Sequence, residues 1–550
     1  MSSMHPVLQQ ARTEPTVFAA LSRVAEAFGD LPWFCIPARA GRDYDPGGRE
    51  VTYRDAVVAA SRLRDAYAEA GYGLGHRVAL RLDNRPEHFL HLLALNALGA
   101  SVVPLNPDAL DHEAGYVMAH AGVDLVVTRP RHELAVRAGL AGSGHIASVV
   151  VTEGDIASVP KPAGTARSGT PDRTTELAVV YTSGTTGNPK GCILDNAFAF
   201  TVGCWYADLG GRLTLRPASE RIFVPLPVFH VNAGINTPTA LLLSANCLVM
   251  PDRFHLSTWW NDVSATRATG IHYLGIMPPA LMKAPPHPQE RSHSVLFGLG
   301  AGLDPDLHVR FEERFGIPMV EVWGMTETGR FFADAYEPRQ ITTRAFGRPT
   351  PDFNAMIVDE HDREVARGSP GELVVRSPGD DPRAGFFRGY FKDTAATEDA
   401  WRNGWFHTGD VAIQQDDDML VFVERRKNII RRSGENISAA EVENALIGHP
   451  AVARVAVLSV EDEMRDEEVL CCVVTADGVA STRETAGQVV AACQGRIATY
   501  KWPGWVVFVD SLPMTSTQKI QKGLIFPKGQ DPRQHPGAFD MRGMKTRRPT

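Results

Sequence analysis

The fold is decided by the stretch Tyr181-Thr182-Ser183-Gly184-Thr185-Thr186-Gly187-Asn188-Pro189-Lys190-Gly191. It follows an apolar, β-branched run at residues 177–180, which predicts a buried strand. Glycines in a turn after such a strand let backbone N–H groups and a phosphate approach closely, while hydroxyls and one lysine add donors and positive charge. The spacing is not that of a Walker A loop, because the lysine follows proline and precedes glycine. The stretch therefore predicts a polyphosphate-binding turn.

Five further blocks follow in chain order and resemble the signatures of one family. They are Pro-Leu-Pro-Val-Phe-His at 225–230, Trp-Gly-Met-Thr-Glu-Thr at 323–328, Gly-Trp-Phe-His-Thr-Gly-Asp at 404–410, the basic block at 424–436 and Leu-Pro-Met-Thr-Ser-Thr-Gln-Lys-Ile at 512–520. Together with residues 181–191 they resemble the adenylate-forming superfamily, which includes acyl-CoA synthetases, peptide-synthetase adenylation domains and beetle luciferases. Residues 422–438 resemble its crotonobetaine/carnitine-CoA ligase branch.

The amino-acid composition limits which class of protein this chain can belong to. The chain has 550 residues, of which 44% are hydrophobic and 22% charged, values typical of a soluble globular protein with more than one domain. A formal net charge of −8 gives no general basis for binding nucleic acid. Seven dispersed cysteines lack metal-ligand spacing, so we expect reduced thiols in a cytoplasmic protein. We expect no signal peptide in residues 1–18 and no membrane partner, while the oligomeric state, a homodimer included, stays open.

Alternation of strand and helix patterns predicts the domain organisation. A strand from residue 78, a helix-like run at 89–98 and a strand at 101–105 form a unit that favours a parallel sheet. Similar alternation continues to residue 322, with an apolar run at 240–243 and helix patterns at 257–269 and 305–315, and a further helix is predicted around 439–446. Shorter apolar segments after residue 347 predict a strand-rich subdomain. We therefore predict an α/β fold with an N-terminal adenylation domain at 1–426, built from parallel sheets flanked by helices plus a β-rich subdomain. A small mobile α+β domain at 427–550 would follow, and the resemblance implies the same division.

The resemblance implies two half-reactions. A carboxylate attacks the α-phosphate of ATP to give acyl-AMP and pyrophosphate, and CoA then gives acyl-CoA and AMP. Glu327 would ligate Mg²⁺ together with Thr185, and Thr326 would bind the α-phosphate. Trp323, where the family usually carries tyrosine, would pack on adenine, and Asp410 would accept hydrogen bonds from the ribose. The residues implied for ATP and AMP are Thr182, Ser183, Gly184, Thr185, Thr186, Lys190, Gly300, Ala301, Gly302, Glu321, Trp323, Gly324, Met325, Asp410 and Arg425.

The family's mobile C-terminal domain implies further roles. Lys519 would stabilise charge on phosphorus in the first half-reaction, and Lys522 is a second candidate for that role. Lys427 would be the hinge. Rotation about it would remove Lys519 and bring in the CoA-side residues, which are Arg431, Arg432, Ser433, Gly434 and Glu435. A glycine at 434 would leave room for the narrow pantetheine arm.

The acid site follows from the same blocks. His230 would gate the carboxylate, although a lone histidine is more often structural. The other residues implied for the acyl pocket are Val231, Asn232, Gly234, Met277 and Arg330. They are small or apolar with few charges, whereas a trimethylammonium substrate would want an aromatic cage or a carboxylate. We therefore favour an apolar or weakly polar organic acid over a carnitine-type acid.

Three other functions share these motifs. An adenylation enzyme that loads a carrier protein usually carries an acidic residue near 232–235, and none stands there. A luciferase-like oxygenase would share every block. An inactive nucleotide-binding scaffold is disfavoured, because Lys190, Glu327, Asp410, Arg425 and Lys519 are all intact.

Overall fold

The computed structural model describes residues 4–154, 156, 158–182, 189–425, 428–432, 435–462, 465–514 and 520–545. The chain forms two compact units in a mixed α/β fold, as the sequence predicts. The larger unit comprises Met1–Asn354, Val375–Phe406 and Asp418–Leu420, and the smaller comprises Ala355–Val374, His407–Asp417 and Val421–Thr550. The predicted boundary between 426 and 427 falls on residues outside the described ranges and stays a prediction.

Helices and strands alternate along most of the chain. The helices are α1 Pro6–Ala11, α2 Val17–Phe28, α3 Tyr53–Ala70, α4 Pro86–Leu98, α5 Asp111–Ala121, α6 Glu133–Ser143, α7 Asn196–Asp208, α8 Thr237–Leu243, α9 Trp259–Ala265, α10 Met277–Lys283, α11 Pro305–Phe315, α12 Thr394–Ala400, α13 Ala439–Leu446 and α14 Arg483–Ala491. The strands are β1 Pro32–Ile36, β2 Arg49–Thr52, β3 Arg77–Arg81, β4 Ser101–Pro104, β5 Leu125–Thr128, β6 Ser148–Val151, β7 Glu176–Thr182, β8 Lys190–Asp195, β9 Arg221–Phe223, β10 Cys247–Val249, β11 Gly270–Leu274, β12 Phe297–Ala301, β13 Met319–Trp323, β14 Phe332–Ala333, β15 Ala345–Gly347, β16 Asn354–Val358, β17 Pro370–Arg376, β18 Gly389–Tyr390, β19 Phe406–Gln414, β20 Leu420–Arg425, β21 Ile429–Arg432, β22 Glu435–Ser438, β23 Val452–Asp462, β24 Asp466–Thr475, β25 Trp505–Phe508 and β26 Ala538–Asp540.

One sheet of the larger unit has the strand order β14-β13-β12-β11-β9-β10-β1-β2. Its inner strands pair in parallel, and β14 and β2 join antiparallel at the two edges. Parallel neighbours need crossover connections, which α9, α10 and α11 supply between successive strands. The carboxyl ends of β11, β12 and β13 therefore meet at one edge, where open α/β sheets bind their ligands.

A second sheet of the larger unit has the order β18-β8-β7-β4-β3-β5-β6. The strands β7, β4, β3, β5 and β6 are parallel, whereas β8 runs antiparallel to β7 and β18 antiparallel to β8. The sheet confirms the predicted strand–helix–strand unit, since β3 and β4 are parallel neighbours joined by α4. In this sheet, the predicted phosphate-binding turn connects the antiparallel strands β7 and β8.

The smaller unit contains two sheets of its own. One includes the consecutive neighbours β20, β19, β17 and β16, and the other has the order β22-β21-β24-β25-β26 with β23 paired to β24. Helices α13 and α14 pack their apolar faces against the second sheet through residues such as Val442, Leu446 and Val489. This α+β body holds the C-terminal part of the chain, as predicted.

Helix α4 buries two histidines in the larger unit. His88 is 1% exposed, and neither of its ring nitrogens has a hydrogen-bond partner among the described residues. His91 is bonded through Nδ1 to the hydroxyl of Tyr67 at 2.8 Å. Burial lowers the pKa of His88 to about 3, well below the value of about 6.5 for an unperturbed imidazole.

This burial predicts acid sensitivity. Below about pH 6.5, His88 binds a proton in the unfolded chain but stays neutral in the folded chain. The free energy of unfolding therefore falls by about 2 kcal/mol between pH 7 and pH 5. His88→Met should remove that loss in urea unfolding measured over this range. Burial lowers the pKa of His91 to about 4 as well, so His91→Met is the comparison: it should also reduce the pH dependence, but it deletes the partner of Tyr67 and should cost stability at every pH. An unchanged pH slope in His88→Met would contradict the prediction.

No helix in the described part of the chain is both long and apolar enough to cross a membrane. All seven cysteines are free thiols, and every one except the half-buried Cys204 is buried.

Candidate active site

The predicted phosphate-binding turn joins the ends of β7 and β8. Thr182 pairs with Lys190 across the antiparallel ladder, so both ends of the turn are fixed by the sheet. The roles expected of Ser183, Gly184, Thr185 and Thr186 fall on residues 183–188, which lie outside the described ranges. The strand residues at its two ends, Thr182 and Lys190, are described and lie opposite each other in the ladder.

Lys190 lies close to the carboxylate predicted to bind magnesium. Its ammonium nitrogen stands 4.9 Å from the centre of the Tyr390 ring. The Tyr390 hydroxyl donates a hydrogen bond of 2.9 Å to Oε1 of Glu327. Strand β18 places Tyr390 there, because Tyr390 pairs with Cys192 on β8, two residues after Lys190. The structure therefore brings together two predicted site residues that are 137 positions apart, through a tyrosine that the sequence did not single out.

The side-chain oxygens near Lys190 suit a hard divalent cation as ligands. Glu327 is 5% exposed, and its backbone carbonyl accepts a 2.9 Å hydrogen bond from Phe387 N, which anchors the residue. The neighbouring Thr326 is half-buried, and its hydroxyl makes no hydrogen bond to any described residue. A carboxylate and a hydroxyl offer the oxygen ligands that Mg²⁺ prefers, with phosphate oxygens completing the shell.

Tyr390→Phe should weaken magnesium binding while leaving the fold intact. The phenyl ring keeps the contact with Lys190, but Glu327 loses the donor that orients its carboxylate. A hydrogen bond to a charged group is worth about 1.5–3 kcal/mol, so we expect the apparent affinity for Mg²⁺ to fall by about 10- to 100-fold. Titration of ATP binding at varied Mg²⁺ would measure it. An unchanged Mg²⁺ dependence would show that Tyr390 does not position Glu327.

A half-buried glutamate supports the loop predicted to contact the nucleotide. Glu321 accepts hydrogen bonds from the Tyr273 hydroxyl and from Gly302 N, the latter at 2.8 Å. Gly302 has a φ of +85°, a conformation that side chains with a Cβ rarely adopt. Burial raises the pKa of Glu321 to about 7. Glu321 therefore holds the loop at residues 300–302 in its conformation. The direct contact predicted between Glu321 and the nucleotide stays a prediction.

Trp323 sits at the end of β13 in an aromatic cluster. It is 6% exposed, and its ring stacks on Phe332 with centroids 5.7 Å apart. The next residue, Gly324, is exposed, and a Cβ there would overlap the Phe331 ring. Met325 is held by a 3.3 Å hydrogen bond from its N–H to the Thr328 hydroxyl. The segment predicted to face adenine is therefore rigid, with little of the Trp323 ring open to solvent.

The predicted acid-binding residues begin a distorted helix. Residues Asn232–Asn236 form one π-helical turn before α8, a feature frequent at functional sites. Only glycine fits at position 234, because a Cβ there would overlap the Val228 carbonyl oxygen. Asn232 Oδ1 accepts a 2.8 Å hydrogen bond from Thr237. His230 precedes this turn and is half-buried, and its ring contacts Phe229 with centroids 4.5 Å apart.

Two further predicted pocket residues stand on other elements. Met277 is buried at the start of α10. Arg330 follows Gly329, and its Nη1 donates hydrogen bonds of 3.1 Å to the Ser377 hydroxyl and to the Ala384 carbonyl. Arg330 is thus the one predicted pocket residue in this set that carries a charge.

In the smaller unit, the two residues predicted to bind ribose contact each other. Arg425 Nε lies 2.8 Å from Oδ1 of Asp410, whose side chain is 3% exposed. The Thr408 hydroxyl accepts from Asp410 N at 3.1 Å and donates to the Leu373 carbonyl at 2.6 Å. Strand β19 therefore presents the carboxylate in a fixed orientation, with its partner at the end of β20.

Asp410→Ala should weaken ATP and AMP binding. Each charge-assisted hydrogen bond that is lost should cost about 1.5–3 kcal/mol of nucleotide affinity. Calorimetric titration with AMP would measure the effect. Arg425→Ala serves as the comparison, because it removes the ion pair and leaves the carboxylate in place. Equal AMP affinities for Asp410→Ala and the parent protein would remove Asp410 from the site.

The remaining predicted residues of the smaller unit divide into two groups. Lys427, Ser433, Gly434 and Lys519 lie outside the described residues, as do the side chains of Arg431 and Glu435, so their roles stay predictions. Arg432 is buried, and its Nε lies 2.8 Å from Oε1 of Glu468, which also accepts from Lys545. This buried cluster ties β21 to β24, and a contact of Arg432 with CoA would require it to open.

Lys522, the second candidate for the catalytic lysine, is occupied by another interaction. Its ammonium lies 2.8 Å from Oε1 of Glu443 on α13. Glu443 Oε1 also accepts a 2.7 Å hydrogen bond from Val457 N. This pairing favours a structural role for Lys522.

Two family models match most of the chain. The AMP-binding enzyme model matches residues 23–391, and the AMP-binding enzyme C-terminal domain model matches residues 441–519.

Curated relatives match over nearly the whole length. A sulfoacetate–CoA ligase from Cupriavidus necator is 31% identical over 93% of this chain and 98% of its own. An indoleacetate–CoA ligase from Aromatoleum aromaticum is 32% identical, covering 86% and 92%. A crotonobetaine/carnitine–CoA ligase from Citrobacter koseri is 28% identical, covering 86% and 92%.

Solved structures share the fold. An o-succinylbenzoate-CoA synthetase from Bacillus subtilis in complex with its acyl-adenylate superposes with a TM-score of 0.77 at 23% identity, over 93% of this chain and 98% of that one. ATP-bound MatB from Rhodopseudomonas palustris gives 0.75 at 23% identity, over 92% and 97%.

Proposed function

Because the chain belongs to the AMP-binding enzymes and is an AMP-forming acid–CoA ligase, we propose that it activates an organic acid with an apolar or weakly polar body. Carboxylate and ATP give acyl-AMP and pyrophosphate, and CoA then gives acyl-CoA and AMP. ATP, Mg²⁺ and CoA are the small molecules that this reaction uses. The specific proposal concerns which residues do this and which acid they accept.

The observation that carries the proposal is the contact chain from Lys190 through Tyr390 to Glu327. It puts a cation at the end of the phosphate-binding turn beside a buried carboxylate with a fixed orientation. Lys190 would attract the β- and γ-phosphates, and Thr326 would donate to the α-phosphate. Mg²⁺ held by Glu327 would neutralise phosphate charge. Such preorganised charges stabilise the developing negative charge at phosphorus better than mobile water does.

Residues of the smaller unit would complete the two half-reactions. We propose that Asp410 and Arg425 hold the ribose, that Lys519 contacts the α-phosphate during adenylation, and that Lys427 is the hinge. Residues 431–435 would then face CoA. His230 would close the pocket behind the reacting carboxylate.

The acid is proposed from the pocket residues. The curated relatives act on acids as different as sulfoacetate, indoleacetate and carnitine, so likeness alone does not choose among them. Val231, Asn232, Gly234 and Met277 offer a neutral lining, which suits an uncharged body next to the reacting carboxylate. A carnitine-type acid is the second candidate, because ligases of that name match over most of the chain.

The proposal also covers the acceptor of the acyl group and the cellular compartment. We favour free CoA over a carrier protein, since no acidic residue for an amino-acid ammonium stands at 232–235. Seven free thiols fit the reducing cytoplasm. A homodimer is one assembly that sedimentation would detect.

A panel of acids tests the function directly. The purified protein would be incubated with ATP, Mg²⁺, CoA and single acids, while AMP and thioester are measured together. We expect equal amounts of both products for an accepted acid. AMP without thioester would indicate a different acceptor, and light emission with luciferin and oxygen would support the oxygenase alternative. Absence of AMP with every acid would contradict the proposed function.

A further inference from the structure

A cavity of about 800 Å³ opens in the larger unit beside the segment that follows Thr326. One face of α7 forms one wall, and residues 330–336 and 348–352 form the other. Phe200, Trp205 and Phe331 give it aromatic surfaces, and Trp205 meets Phe331 edge-to-face at 5.2 Å. This volume and lining suit a small organic molecule with an apolar or aromatic body.

The cavity carries an excess of positive charge. Its lining includes four arginines and three aspartates. One pair is neutralised in place, since Arg12 Nη1 lies 2.6 Å from Asp208 Oδ2. Arg173 instead stacks over the Phe200 ring at 3.4 Å and donates to the Arg12 carbonyl at 2.5 Å. In the described part of the chain, Arg173 has no carboxylate within hydrogen-bonding distance.

Arg330 is a half-buried cation in the lining of this cavity. Its side chain is 14% exposed, and its close partners are the neutral oxygens of Ser377 and Ala384. The nearest described carboxylate, that of Asp352, lies 3.7 Å away and is 58% exposed. A guanidinium removed from water with only neutral hydrogen-bond partners retains a strong attraction for a carboxylate or sulfonate, which it can bind through two N–H groups.

The cavity borders the site proposed for adenylation. Arg330 is four residues after Thr326, and an extended chain of that length spans at most about 14 Å. Phe331 forms the partition, because its ring lines the cavity and stands against Gly324, where a Cβ would overlap it. Arg330 therefore lies on the other side of the Phe331 ring from Gly324, at a chain distance from Thr326 that a short acid with two end groups approaches.

We propose that this cavity is a subsite for a second anionic group of the acid substrate, a carboxylate or sulfonate, and that Arg330 binds that group. The proposal rests on the proposed acid–CoA ligase function and adds the class of acid to it. The uncharged body lies next to the reacting carboxylate, and the second charge lies at the far end.

Matched acids test the subsite. The rate of AMP release would be compared for phenylacetate against 4-sulfophenylacetate, and for hexanoate against 6-sulfohexanoate and adipate. The sulfonates keep a single reacting carboxylate. We expect kcat/KM at least about 10-fold higher for the acid with the second charge, in line with a charge-assisted hydrogen bond. Arg330→Gln should abolish this preference, because kcat/KM should fall more for the acids with the second charge than for phenylacetate and hexanoate, whereas Arg330→Lys should keep part of it.

Arg12→Gln is the matched comparison: it removes the same formal charge from the cavity lining but keeps the Arg330 guanidinium, so it should reduce the preference less than Arg330→Gln does. A preference of the parent protein for the monoanionic acids would overturn the proposal, and that comparison requires no variant to fold. Equal losses on both members of a pair in Arg330→Gln would overturn it as well. Calorimetric binding of benzenesulfonate that does not compete with the acid would assign the cavity to a free anion instead. If no acid yields AMP, the ligase function itself fails, which is a distinguishable result.

Discussion

Glu327→Gln should slow acyl-adenylate formation by about 10²–10³-fold, because it removes the charge proposed to hold Mg²⁺ at the phosphates. Glutamine keeps the size of the side chain and can still accept the hydrogen bond from Tyr390, so the change isolates the charge. The backbone contact from Phe387 to the residue 327 carbonyl is also kept. Pyrophosphate release in the first turnover measures the rate, and Mg²⁺-dependent ATP binding gives a second reading.

The comparison with Tyr390→Phe separates two contributions. Tyr390→Phe keeps the Glu327 charge and loses its orientation, so its effect should appear mainly in the Mg²⁺ concentration required. Glu327→Gln should not recover at high Mg²⁺. If the glutamine variant adenylates at the parent rate, Glu327 is not a metal ligand, and the contact with Lys190 through Tyr390 is only structural.

Lys519→Ala should abolish formation of the acyl-adenylate while largely sparing thioester formation from supplied acyl-AMP and CoA. Loss of a cation placed at a phosphoryl transition state commonly costs about 10²–10³-fold in rate. The second half-reaction is spared because Lys519 is proposed to leave the site after adenylation. Single-turnover measurements of each half-reaction would give the two rates.

Lys522→Ala is the matched control for this prediction. It removes a nearby lysine that is paired with Glu443 at 2.8 Å. Burial raises the pKa of Glu443, so loss of its partner should lower stability and leave adenylation unchanged. Normal adenylation by Lys519→Ala together with a defect in Lys522→Ala would exchange the two assignments.

The sequence predicted the regular elements where apolar periodicity is long. Helices α11 and α13 and the parallel pair β3 and β4 lie where the pattern placed them. The helix predicted over 257–269 is shorter, Trp259–Ala265, because Arg267 adopts a positive φ of 53° that ends helical geometry. The residues 240–243, an apolar run in the alternation, belong to helix α8, since a short apolar run is compatible with either structure.

The sequence motifs predicted which residues belong to the site, but not how these residues are arranged in space. Lys190 and Glu327 were identified from local sequence, but Tyr390, which joins them, lies on a two-residue strand with no periodicity to detect. The support of Gly302 by Glu321 depends on β12 and β13 being neighbours, which no local pattern reveals. The neutral hydrogen-bond partners of Arg330, Ser377 and Ala384, likewise come from a segment about 50 residues further along the chain.

The fixed pairing of Thr182 with Lys190 constrains how this enzyme can vary in length. Residues added between positions 183 and 189 would leave β7 and β8 paired, because the ladder holds both ends of the turn, but they would displace the hydroxyls and glycines predicted to bind phosphate. A single residue inserted within β8 would instead move every later side chain to the opposite face of the sheet. A residue larger than glycine at position 191 would also meet Val179 and Tyr181, which lie within 3.0 Å of a Cβ at that position. We therefore expect added residues to be tolerated neither in the turn nor within β8.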